Sequence, residues 1–168
     1  IDSKPIRFEG NNYGDAWKKE AHKRGLTNST NPVEALDAYV TPNSRKLFTS
    51  MDVMSERENE ARAHIRWDNY TKRVQIEARV MGDLVMNHIV PVAIRYQSEL
   101  VENVKGLKEL FSDKEFKELA GARIELIRVI SQHISYIKAK TTEMIEARKI
   151  ANIIEDEREK AMAYATKI

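Results

Sequence analysis

From Ser55 onward, apolar side chains recur at the spacing of a helix rather than of a strand. Ala61, Ile65, Val74, Ala78, Met81, Val85, Ile89, Val92 and Tyr96 mostly follow steps of three and four. That pattern predicts one long helix over about 55–111, opened by the capping box Ser55-Glu56-Arg57-Glu58. Pro91 lies inside the run, where its ring removes a backbone donor and crowds the preceding turn, so a kink is expected near Asn87 to Pro91. Gly106 is expected to loosen or end the helix. A second capping box, Ser112-Asp113-Lys114-Glu115, opens a further long helix, expected to run from about Asp113 toward the end. In it Ile127, Ile130, Ile134, Ile137, Thr141 and Met144 form a coiled-coil-like seam. The seam slips after Met144 and resumes as Ala147, Ala151, Ile154, Arg158, Ala161 and Ala165. Two long helices joined near Ser112 should fold back as an antiparallel hairpin.

Residues 1–54 read differently, as a loop-rich segment with short helices. Gly14 or Asp15 can cap a helix to Arg24, stopped by Gly25. Asn31-Pro32 and Thr41-Pro42 each place a capping side chain before a proline at the first helical position. The expected fold is therefore all-α: a long antiparallel helical hairpin or bundle with short N-terminal helices. Three segments make one domain, 1–54, 55–111 and 112–168, and the chain reads as a piece of something larger. It starts at Ile1 rather than Met and stops at Ile168 within a helical pattern.

Composition supports a folded helical chain, with 42% hydrophobic and 32% charged residues and only six glycines and four prolines. The formal net charge is +2, and no block of like charge marks a nucleic-acid or lipid surface. There is no cysteine, which removes thiolate chemistry and agrees with a cytoplasmic setting. The N-terminus is polar and turn-rich, no apolar run approaches membrane-spanning length, and Asn28-Ser29-Thr30 is set aside as a chance sequon. Neither nucleic acid nor membrane is an expected partner.

Candidate chemistry is sparse. The stretch Phe8 to Trp17 carries Gly10, Asn11, Asn12 and Gly14 but lacks the Gly-Lys-Ser/Thr ending of a phosphate loop. It reads as a turn entering a helix, with Asn11 and Asn12 tolerating unusual backbone angles. Glu60, His64 and Asp68 share a helical face and could touch a metal, but a surface hydrogen-bonded row is the preferred reading. His88 is read as a packed or surface histidine, and Glu77 as an ion-pair partner of Arg73. The aromatics Trp17, Trp67, Tyr70 and Tyr96 are read as packing anchors. No catalytic, cofactor-binding or metal-binding residue is assigned.

Three blocks carry a resemblance. The first is Phe8, Gly10, Asn11, Tyr13 and Trp17, followed by Arg24-Gly25-Leu26. The second is the stretch NPVEALDAYVTPNSRKLF, and the third Tyr70, Ile76-Glu77-Ala78-Arg79, Met81, Asp83, Ile89, Pro91 and Tyr96. In this order, over about residues 8–96, they resemble the region following the catalytic core of type III glutamine synthetases. Gly14 replaces a usual serine cap, Asn12 a frequent glycine, and a Trp-Pro-Leu-Pro-Lys-Tyr element is missing. The resemblance implies a parent that joins ammonia to glutamate with ATP and magnesium or manganese, through a γ-glutamyl phosphate. It also implies partners: an upstream catalytic core and neighbouring subunits of a homo-oligomer. The piece itself would be inactive and serve packing or assembly. The alternative is a freestanding helical interaction protein, and a metal-holding bundle is a third reading with little behind it.

Overall fold

The computed structural model describes residues 6–168. Among them there is helix and no strand, so the all-α expectation holds. The chain divides into two compact units, Ile1–Ala63 and His64–Ile168. The division falls nine residues later than the composition shift after residue 54 suggests, inside a helix rather than before it.

The first unit holds α1 (Asp15–Lys23), α2 (Pro32–Asp37) with a 3-10 turn over Ala38–Val40, α3 (Pro42–Ser50) and the first turns of α4 (Glu56–Asp83). Capping side chains set these starts as their sequence suggests. Asn31 accepts from the Glu34 amide at 2.9 Å and Thr41 from the Ser44 amide at 3.2 Å. Gly14 caps α1 without a side-chain bond. The asparagines before it do not enter the left-handed region. Asn11 instead accepts from the Tyr13 amide through its side chain and from the Gly14 amide through its carbonyl, at 3.0 and 3.1 Å. This Asx-type turn meets the local hydrogen-bond demand without unusual dihedrals. Phe8 tilts against Trp17 with ring centroids 5.0 Å apart. A Cβ on Gly10 would stand 2.9 Å from the outer edge of that Phe8 ring, so a side chain there would push the ring aside. Arg24 ties the loop down: its guanidinium donates to the Ile6 and Arg7 carbonyls and to Glu20, and the Glu20 carboxyl is held below its ordinary value by that bond.

α1 and α3 end alike. Gly25 takes φ +69°, and the Leu26 and Gly25 amides reach back to the Ala21 and His22 carbonyls. Asp52 takes φ 54°, and the Val53 and Asp52 amides reach the Phe48 and Thr49 carbonyls. Both are Schellman ends, but only the first has the residue suited to a left-handed position. Asp52→Gly is expected to raise stability by about 0.5 kcal/mol, as relief of Cβ strain outweighs added chain entropy. A shift of the urea midpoint at constant slope measures it.

The second unit is built on α4 beyond His64, a π-helical segment Leu84–Ile89, α5 (Val90–Leu110), α6 (Asp113–Asn152) and α7 (Glu157–Lys167). The expected kink takes the form of this π segment. Its Val90 amide bonds to the Val85 carbonyl, five residues back. The wider turn lies just before Pro91, where an α turn would press the ring on the Asn87 carbonyl. Gly106 does not end the helix, which continues to Leu110.

α5 and α6 form the expected antiparallel hairpin. The Gln97 amide donates to the Ile127 carbonyl at 3.0 Å and to the Ser131 hydroxyl. Gly82 faces Met144 and Ile145, and Gln75 reaches Asn152 at 3.4 Å. Each step forward along one arm thus matches a step back along the other. The Ile127 to Met144 seam is the less exposed side of α6, with Thr141 buried.

The last helix is not continuous to the chain end. α6 stops at Asn152, and Asp156 caps a new helix by accepting from the Glu159 amide at 2.7 Å. The pattern Asp-x-x-Glu at 156–159 is itself a helix-start signature, which the run of small seam residues masks. α7 folds back, so that Tyr164, Ala163 and Ala151 form a buried cluster with Val74, Ile154 and Ile168 against it.

Both capping boxes of the long helices have their glutamate half in place. Glu58 accepts from the Ser55 amide and hydroxyl, each at 2.8 Å, and Glu115 from those of Ser112 at 3.2 and 2.6 Å. The Ser55 backbone bond foremost holds Glu58 below its ordinary 4.5, and the Ser112 hydroxyl bond does the same for Glu115. A carboxylate depressed in the folded state adds stability above the unfolded value and loses it as pH falls through the folded one. Far-UV helix signal should therefore hold from pH 7 to the ordinary carboxylate range and decline below it. Glu58→Gln with Glu115→Gln should flatten that part of the acid decline.

Candidate interaction surface

In α4 and α5 the sequence carries two parallel seams. The inner one is Trp67, Thr71, Val74, Ala78, Gly82 and Val85, then Val90, Ala93 and Gln97 beyond the π turn, all buried or half-buried. Several of these residues are small or polar, so the hairpin closes by near approach rather than by bulk. The outer seam is Ile76, Val80, Leu84, Ile89, Val92 and Tyr96, between 44% and 62% exposed. Its steps are four, four, five, three and four, and the step of five falls on the π segment. One extra residue there keeps both seams in phase across the proline. Ile89, Val92, Ala93 and Tyr96 with His88 line an open, almost wholly apolar groove of about 510 Å³ on this face.

The apolar run that marks the helix in the sequence divides between the two seams. Val74, Ala78 and Val85 face inward, whereas Ala61, Ile65, Met81, Ile89, Val92 and Tyr96 are exposed. Of the predicted aromatic anchors, Trp67 is buried, Tyr70 and Trp17 are partly exposed and Tyr96 lies on the outer seam.

The titratable candidates do not converge. His64 Nδ1 lies 3.0 Å from the Glu157 Oε2 at the start of α7, and its ring stands edge-on to Trp67. Asp68 accepts from Lys72 at 2.6 Å, and Glu60 is exposed. Among the described residues no three His, Asp or Glu side chains are grouped to hold a metal ion. His88 sits 3.9 Å from Asp83 at the groove rim. Glu77 lines a small cleft with Val74, Ala78, Met81, Met144 and Ile168. The Tyr164 hydroxyl donates to the Asn152 side chain at 2.7 Å, and burial pushes that hydroxyl above its ordinary pKa. No helix among the described residues is long and apolar enough to cross a membrane.

The hairpin carries a docked end helix and an apolar face left exposed. Comparison with known proteins gives it a family. The glutamine synthetase C-terminal domain matches residues 1–108, and the chain belongs to that family. A glutamine synthetase of Bacteroides fragilis is 46% identical over 98% of this chain and 22% of its own length. A type-3 glutamine synthetase of Dictyostelium discoideum is 32% identical over 67% of the chain and 16% of its own length. A glutamine synthetase of Butyrivibrio fibrisolvens is 29% identical over 64% and 15% respectively. The chain corresponds to the C-terminal region of a type III glutamine synthetase, and it spans about a fifth of the length of these relatives.

Proposed function

We propose that this chain is the helical packing part of an enzyme that makes glutamine from glutamate, ammonia and ATP. The upstream core supplies the reaction in this reading, with magnesium or manganese and the nucleotide, and the chain supplies no catalytic group. Its task is to seat against that core or a neighbouring subunit of a cytoplasmic homo-oligomer. The observation that carries the reading is the outer seam from Ile76 to Tyr96, six large side chains left half-exposed on one continuous face. A contiguous apolar strip of this kind marks an interaction site in a soluble protein. The experiment substitutes Val80→Lys together with Val92→Lys in the full-length enzyme that carries this chain. Assembly mass by analytical ultracentrifugation should fall, while the substituted 168-residue chain keeps its helix content.

A further inference from the structure

The outer seam reads nearly the same in both directions. Counted from Met86 in the π segment, Ile76 and Tyr96 lie ten residues away on either side and Val80 and Val92 six, while Leu84 and Ile89 lie two and three away. Arg73 lies beyond one end and Glu99 beyond the other, both exposed. We propose that this face takes the same face of a second copy of the chain, antiparallel, about a two-fold axis at the π segment. The inference rests on the packing reading and specifies its partner.

A two-fold interface must be self-complementary, because each contact between two residues occurs twice. In the antiparallel pairing Ile76 meets Tyr96, Val80 meets Val92 and Leu84 meets Ile89 of the other copy. The same alignment sets Arg73 opposite Glu99 at both ends. A parallel pairing would instead set Arg73 on Arg73 and Glu99 on Glu99, which disfavours it. The spacing suits helix against helix, since apolar positions three and four apart interdigitate with a similar row. Six side chains left about half-exposed offer on the order of 600 Å² per copy, near the roughly 800 Å² per partner of a standard stable interface. The π turn has a direct part in this: without its extra residue the halves of the seam would leave a common face at Pro91.

The absence of cysteine makes the test simple. Val80→Cys and Val92→Cys are made in separate chains and treated with a short bis-maleimide over a concentration series, alone and mixed. In the antiparallel pairing Val80 faces Val92 of the other copy, whereas like residues stand about 18 Å apart, twelve residues of helical rise. The expected result is a covalent dimer from the mixture, at least tenfold above that from either chain alone. Equal yields from single chains and mixture would overturn the proposal, and so would no dimer in any of them. Loss of assembly mass in the Val80→Lys, Val92→Lys enzyme without the mixed cross-link would leave the packing reading standing and overturn the second copy as its partner.

Discussion

Replacing Tyr164 by alanine should release α7 from the hairpin and lower stability by about 3–5 kcal/mol, the range for truncating a buried aromatic to alanine. Tyr164 is 1% exposed and sits with Ala151 and Ala163 at the corner where α6 turns back. Its small neighbours leave the ring most of the volume, so truncation opens a cavity that alanines cannot fill. Tyr164→Phe separates ring from hydroxyl. It removes the donor to Asn152 and should cost only about 1 kcal/mol, because that side chain keeps its contact with Gln75. Urea unfolding followed by far-UV circular dichroism distinguishes the two, and a large loss in the phenylalanine variant would contradict this account.

Trp67→Ala should cost as much, about 3–5 kcal/mol. The indole is 6% exposed, and its Nε1 is buried without a hydrogen-bond partner among the described residues. Trp67→Phe is the informative comparison. It shrinks the side chain but also removes an unsatisfied donor, whose burial costs about 1–3 kcal/mol. The two effects oppose each other, so the phenylalanine variant should lie within about 1 kcal/mol of the parent chain. The same denaturant titration reads both variants. A phenylalanine variant as unstable as the alanine one would mean that the indole nitrogen is satisfied in solution.

These energies depend on packing that the sequence discloses only in part. Helix starts were legible because a cap is a local event. Asn31, Thr41, Ser55 and Ser112 stand where their side-chain chemistry requires, and Gly25 stops α1 for the same kind of reason. The π segment was legible only as trouble near Pro91, since an extra residue in one turn leaves no compositional mark. The break at Asn152 had its mark in Asp156 and Glu159, overshadowed by the alanine spacing that continues through it. The division of α4 and α5 into an inner and an outer seam was not legible. Periodicity reports which residues share a face, but not which face a partner covers. The larger side chains, Ile89, Val92 and Tyr96, lie outside, while Ala78, Gly82 and Thr71 lie within.

The family resemblance was legible in Phe8 to Leu26 and in the block from Tyr70 to Tyr96, and the family match over residues 1–108 covers both. The block from Tyr70 to Tyr96 spans the outer seam and shares Ile76, Ile89 and Tyr96 with it. In this reading the residues that identify the family and those that seat the chain on its partner overlap along one helical face.

The most direct test is the sedimentation mass of the full-length enzyme carrying Val80→Lys and Val92→Lys, read beside the helix content of the equally substituted 168-residue chain. The account predicts a smaller assembly from the enzyme and an unchanged fold in the chain. An assembly of undiminished mass would contradict it, because the uncovered seam would then not be what holds this region in place.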